Sequence, residues 1–172
     1  MTKKLIIYST TDGHTKLICD YIASKLKKKS EIELISLEDT QNLDLSSYET
    51  IIIGASIRYG NHQSNLYEFI QNNLENLKTI KASFFSVNAV ARKPNKNSPE
   101  TNPYIKKFLK LSSWHPEVLG VFAGKIDYPK YRFIDKHVIR FIMWLTKGPT
   151  DTSGVYEFTD WDKVDEYIHK VL

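Results

Sequence analysis

The chain has almost no cysteine. Cys19 is alone among 172 residues, which excludes an internal disulfide framework, and no Cys/His spacing suits structural zinc, so no metal is expected. A lone thiol points to a reducing compartment. Long apolar runs are missing too: the opening "MTKKLIIYST" carries lysines, but its apolar stretch ends after a few residues, too short for a signal-peptide core or a membrane span. The chain is therefore expected to be cytosolic when made. No internal repeat and no low-complexity tract is found. No recognisable nucleic-acid module is present either, so no nucleic-acid partner is expected. The first loop lacks the Gly-Lys-Ser/Thr of a Walker loop and the Gly-x-Gly-x-x-Gly of a dinucleotide site, which disfavours ATP and NAD.

What is present is enough apolar material, 41% of the residues, for one domain spanning 1–172 with a continuous core. Short runs rich in Ile, Val and Phe read as buried strands: Lys3–Ser9, Ile32–Ser36, Thr50–Ser56, Ala82–Ala89 and Val118–Gly124. Between them, apolar residues recur at helical spacing, as in Leu17, Ile18, Tyr21, Ile22 and Leu26, then Leu66, Phe69, Ile70, Leu74 and Leu77, then Tyr104, Ile105, Phe108 and Leu109. Strands alternating with helices imply an α/β fold with a parallel sheet covered on both faces. After the fifth strand the rhythm breaks until "VYEFT" (Val155–Thr159) resumes a strand-like pattern, and "DWDKVDEYIHKVL" closes the chain with an amphipathic helix. A structureless loop of that length is uncommon in a compact domain, so the insertion, 125–150, is expected to carry a helix and a role.

The net charge of +4 resides in this insertion. Lys125, Lys130, Arg132, Lys136, Arg140 and Lys147 face only Asp127 and Asp135 there, while the rest of the chain is balanced. At ~100° per residue, a helix starting near Phe133 sets Lys136, Arg140 and Lys147 on one stripe, with Ile134, Val138, Phe141, Ile142 and Leu145 opposite. Gly148 and Pro149 stop it. Such a helix suits the interface of an anionic membrane. It cannot span one, because Asp135, Lys136 and Arg140 interrupt the run. Most amphipathic helices simply cover a core, and a third reading makes the apolar face with Trp144 a self-association surface and the protein a homo-oligomer.

In open parallel sheets, ligands bind beyond the carboxyl ends of the strands. Three loops belong there. In "STTDGHT", Ser9, Thr10, Thr11, Asp12, Gly13, His14 and Thr15 lead from the first strand into a helix, where backbone N–H groups and hydroxyls would cradle a phosphate. The same residues would also serve merely to turn the chain and cap the helix. "GASIRYGNH" follows the third strand, and its small residues let a flat ring approach while Tyr59 stacks on it. "SVNAVARKPNKNSPETNPY" follows the fourth and brings Asn88, Arg92, Lys93 and Lys96 to the same edge, or is a solvated basic loop. His14 and His62 are candidate proton acceptors there, although surface histidines more often have no such role.

Together, a hydroxyl-rich loop after strand one and Gly-rich or small-residue loops after strands three and four resemble the flavodoxin arrangement. More specifically, "STTDGHT", "IGASIRYGNH", "SVNAVARKP", "YPKYR" and "TDW", in this order, resemble the menaquinone-dependent protoporphyrinogen IX dehydrogenase family of bacterial haem biosynthesis, over nearly the whole chain. The resemblance implies a flavodoxin-like doubly wound five-stranded parallel sheet, order 2-1-3-4-5, with a long helical insertion interrupting the fifth strand. It also implies FMN as cofactor. Ser9 and Thr10 to Thr15 would hold its phosphate. Ser56, Ile57, Arg58, Tyr59 and Gly60, with Asn88, Ala89, Val90, Ala91 and Arg92, would lie against the isoalloxazine, and Asp151 and Thr152 of "GPTDTSG" would touch the same pocket.

The implied activity is six-electron oxidation of protoporphyrinogen IX to protoporphyrin IX, with a membrane quinone, menaquinone or ubiquinone, as acceptor. The hard chemistry would be the flavin's, so no catalytic acid or base is named. Arg58, Arg92, Lys93 and Arg132 are candidates to pair with the substrate's propionates. Ile134, Lys136, Val138, Arg140, Phe141, Ile142, Trp144 and Leu145 are candidates for contact with an anionic membrane surface. The expected location is peripheral, on the cytoplasmic side of the bacterial plasma membrane. Two alternatives share the fold: an electron-carrier flavodoxin docking on protein partners, which predicts an acidic face around the flavin, and an NAD(P)H-dependent quinone reductase.

Overall fold

A computed structural model describes residues 2–172. Five strands, β1 (Thr2–Ser9), β2 (Ser30–Ser36), β3 (Thr50–Ser56), β4 (Lys81–Val87) and β5 (Val118–Phe122), form one sheet in the order β2-β1-β3-β4-β5. Every pairing in it is parallel. The strands read as unbroken apolar runs because both faces are covered. Leu5, Ile7, Ile51, Ile53 and Phe84 point to one side, against Leu66, Phe69 and Ile70 of α2 (Ser64–Asn72), Leu77 of α3 (Leu74–Thr79) and Ile105 and Phe108 of α4 (Pro103–Leu111). Ile6, Ile52 and Phe85 point to the other, against Ile18, Ile22 and Leu26 of α1 (His14–Leu26) and Val164, Tyr167 and Ile168 of α6 (Trp161–Val171). Gly54 is required in β3, since a Cβ there would collide with the Phe85 ring.

The insertion carries the expected helix, α5 (Phe133–Leu145). It lies between β6 (Lys125–Asp127) and β7 (Val155–Glu157), which pair antiparallel as a separate ribbon, so the returning strand joins β6 and not the main sheet. Tyr128 anchors it: the ring is fully buried among Ile126, Met143, Tyr131 and Tyr156, and its hydroxyl donates to the Pro149 carbonyl at 2.7 Å. Lys147 then turns the chain with φ of 57°, and Gly148 N–H donates back to Met143 O at 2.7 Å. At Gly148 a Cβ would push aside Met143 Sδ and the Arg92 guanidinium.

Only one part of α5's apolar circumference meets the protein. Met143 is buried and Ile139 and Ile142 are half-buried against the Tyr128 cluster. Phe133, Ile134, Val138, Phe141, Trp144 and Leu145 are exposed, Phe133 to 76%. The sequence placed Ile142 with the exposed residues, but it turns inward toward the cleft described below. Its position follows from the width of the apolar arc, which exceeds half the helix and therefore has both a protein side and an open side. No helix among the described residues is long and apolar enough to cross a membrane.

Candidate functional site

At the carboxyl edge of the sheet, the loops after β1, β3 and β4 and the insertion enclose about 890 Å³ of space, partly open to solvent. The first loop supplies its polar end. Gly13 has φ of 88°, a left-handed conformation open to glycine, and its N–H donates to Thr10 Oγ1 at 3.0 Å, which closes the turn and starts α1. Thr15 and Ser9 are 1% and 4% exposed, yet neither hydroxyl has a partner. Ser56 Oγ and His14 Nδ1 are buried without partners in the same way. Buried hydroxyls are ordinarily satisfied, so the orphaned hydroxyls of Ser9 and Thr15, together with a helix N-terminus whose first N–H groups lack intrahelical acceptors, make a donor set suited to an oxyanion.

The loop after β3 is a tight turn. Arg58 and Asn61 exchange backbone hydrogen bonds of 2.9 and 3.2 Å, with Tyr59 and Gly60 between them at φ of 50° and 79°. Positive φ at both central positions defines a type I′ turn, and Tyr59 is held in it by donating its hydroxyl to Asp135 of α5. Arg58 ties the same elements together. Its Nη1 is 2.8 Å from Asp12 in the first loop, its Nη2 is 3.6 Å from Asp135, and the guanidinium lies over the Tyr59 and Tyr131 rings. Burial raises the Asp12 carboxyl above its usual range even though Arg58 opposes the shift.

Asn88 organises the loop after β4. Its Oδ1 accepts from Ala91 N–H at 3.1 Å and from Asn102 Nδ2 at 3.0 Å, and its Nδ2 donates to Ser86 Oγ at 3.1 Å. Asn102 in turn caps α4. This buried network fixes the turn Ala89–Arg92, of which Ala89 and Val90 line the cleft while Ala91 packs into the core. The far wall comes from the insertion: Ile126, Tyr131, Ile139, Ile142 and Met143 make it apolar, and Tyr104 of α4 completes it. None of the wall residues was singled out from the sequence as lining the pocket. Their signal was apolar spacing, within the insertion and for Tyr104 within α4, which does not say which side faces the cleft.

The structure distributes the remaining candidates unevenly. Thr10, Thr11, Asp12, His14, Thr15, Ser56, Ile57, Arg58, Tyr59, Gly60 and Asn88 all line the cleft. Asp151 and Thr152 do not; Asp151 is exposed and accepts from the N–H and hydroxyl of Ser153 in a local turn. Arg92 is half-buried and donates to the carbonyls of Ala89 and Thr146 and to the Thr146 hydroxyl, a brace between the β4 loop and the end of α5. Arg132 is exposed at the start of α5, and Lys93 lies where burial and then the charges of Arg92, Lys96 and Lys147 lower its pKa. Neither histidine is on the surface. His62 is buried with Nε2 3.0 Å from Ser86 Oγ and its ring against Phe84 and Phe108, and burial pushes its pKa down to about 4. His14 is buried at the cleft, Nε2 2.6 Å from Thr159 Oγ1, and burial lowers its pKa as well.

With this geometry in place, likeness to known proteins is informative. Residues 5–153 match the model of the Flavodoxin domain family. A Leishmania major protein named protoporphyrinogen IX dehydrogenase (quinone) is 42% identical over 167 residues, covering 96% of this chain and 72% of that one. An Escherichia coli K12 protein of the same name is 39% identical over 170 residues, covering 98% and 94%. Among solved structures, two-electron reduced Megasphaera elsdenii flavodoxin superposes with a TM-score of 0.51 at 17% identity, over 69% of this chain and 84% of that one. At that identity the likeness concerns the fold alone.

Proposed function

The chain belongs to the flavodoxin-like family of protoporphyrinogen IX dehydrogenases (quinone), and from that membership we propose how it works. It oxidises protoporphyrinogen IX to protoporphyrin IX with FMN as cofactor and a quinone as acceptor. The observation that carries this reading is identity of about two residues in five over nearly the entire chain, insertion included. The cleft supports it. Orphaned hydroxyls on Ser9 and Thr15 fit a phosphate at the first loop, and Ser56 fits a polar ligand edge at the second. The apolar wall of Tyr131, Ile139, Ile142 and Met143 fits a flat ring beside a tetrapyrrole.

FMN, when bound, supplies the redox chemistry, by which electrons leave the substrate in pairs and pass to the quinone. The chain's own residues do the rest. Ser9, Thr10 to Thr15 and the α1 N-terminus hold the phosphate, while the Ile57–Gly60 turn and the Asn88 network keep two rigid edges against the ring. The insertion wall excludes water. Arg132 and Lys93 are the cations best able to meet propionates, because Arg58 is occupied with Asp12 and Asp135 and Arg92 with backbone carbonyls.

The open face of α5 supports a peripheral placement on an anionic membrane, the source of the quinone, with Arg140 and Lys136 flanking the apolar residues. We place it on the cytoplasmic side, where a lone reduced Cys19 is at home, and read residues 125–150 as part of one domain with the rest. The carrier alternative called for an acidic rim, whereas the charged side chains lining this cleft are of both signs, Asp12 against Arg58 and Lys125. The test is anaerobic absorbance of the FMN-loaded protein. Protoporphyrinogen IX should bleach the flavin band as porphyrin fluorescence rises, and quinone should restore it without NAD(P)H. A flavin that stays oxidised, or that reduces only with NAD(P)H, refutes the assignment.

A further inference from the structure

Two members of the first loop, Asp12 and His14, do not suit an anion as they stand, and of these Asp12 is paired with Arg58. Thr159 Oγ1 donates its single proton to the Ala123 carbonyl at 2.8 Å. Toward His14 the same hydroxyl is therefore an acceptor, and the 2.6 Å contact fixes the ring proton on Nε2. Nδ1 is left as a bare lone pair, buried and without a donor. His14 lies between Gly13 and Thr15 in the chain, and both it and Thr15, whose hydroxyl also lacks a partner, line the cleft. A phosphate monoester carries about −1.5 to −2 charges at neutral pH and presents acceptor oxygens, so a lone pair on Nδ1 would repel it.

We infer that His14 takes up a proton as the cofactor's phosphate binds, and donates from Nδ1 to a phosphate oxygen while Nε2 keeps its bond to Thr159. This rests on the FMN reading above. The step moves one proton from solvent to the imidazole and exchanges lone-pair repulsion for a charge-assisted hydrogen bond. The surroundings leave the balance to the ligand. Glu157 on β7 and Lys125 on β6 act on the ring with opposite signs, Asp12 in the same loop is engaged by Arg58, and Asp160 is occupied capping α6. With the cleft empty, burial favours the neutral ring; a bound dianion supplies the counter-charge that reverses this.

Calorimetry on the full-length apo-protein at pH 7.5, in two buffers of different ionisation enthalpy, tests the idea with FMN and with riboflavin, which lacks the phosphate. Proton uptake should accompany FMN and not riboflavin. FMN affinity should decline with rising pH, toward about tenfold per pH unit at the alkaline end, as expected for one linked proton. In His14→Gln the amide donates without titrating, so uptake and slope should both disappear. Nitrogen NMR of wild-type His14 reads the same event without a variant: the ring should pass from the neutral Nε2–H tautomer to imidazolium on adding FMN. A ring that stays neutral, or uptake that persists unchanged in His14→Gln because the proton sits on the phosphate, overturns the inference. Failure of the wild type to bind FMN at all would instead overturn the cofactor assignment.

Discussion

Replacing Phe141 and Trp144 together with serine should release the protein from anionic vesicles while leaving its fold intact. The two rings lie 58% and 66% exposed, stacked on each other with centroids 6.0 Å apart and facing away from the Tyr128 cluster. An aromatic side chain buries about 200 Å² when fully covered. The exposed parts are therefore about 120 and 130 Å², worth up to about 3 kcal/mol each at ~25 cal/mol per Å². If half of that area enters the interfacial region, the pair contributes about 3 kcal/mol, or about a hundredfold in partition. Co-sedimentation with phosphatidylglycerol vesicles measures the loss. Thermal unfolding provides the control, since substitutions at exposed sites usually stay within about 0.5 kcal/mol. Unchanged sedimentation would refute a lipid role for this face. If instead the wild type is a dimer that the substitution converts to monomers, the face is a subunit interface.

Two further predictions concern the polar interior. Thr15→Ala should weaken FMN by about tenfold, the worth of one hydrogen bond to a charged group, while the apo-protein melts at the same temperature or higher because an unsatisfied buried hydroxyl is gone; fluorescence titration and calorimetry read the two effects. His62 carries a folded-state pKa of about 4, below its unfolded value of 6.5, so its contribution is full above pH 6.5 and is lost as pH falls toward 4. The loss is on the order of 3 kcal/mol, and urea unfolding of wild type against His62→Gln across that interval should show a flatter acid limb in the variant.

Much of this protein is legible in its sequence because the relevant physics is local or periodic. Buried strands between amphipathic helices predicted a covered parallel sheet, and the observed strands coincide with the apolar runs to within a few residues. "STTDGHT" suggested a loop for an oxyanion, and the structure turns it at Gly13 and leaves the Thr15 hydroxyl at the cleft without a partner. The resemblance implied that Asp151 and Thr152 touch the pocket, yet the turn they form satisfies itself and neither lines the cleft. Both histidines looked superficial, and both are buried, because exposure depends on what packs from elsewhere in the chain.

The sequence by itself determined the element order, the lone thiol, the basic amphipathic insertion and the family to which the chain belongs. Only the tertiary structure decided that Arg58 pairs with Asp12 and Asp135, that Thr159 sets the tautomer of His14, and that α5 turns Ile139, Ile142 and Met143 toward the cleft while leaving Phe133, Phe141 and Trp144 open. The reason is physical: periodicity specifies that a helix has an apolar side, but which part of a wide apolar arc is buried depends on partners distant in sequence, here Tyr128, Tyr131 and Tyr156.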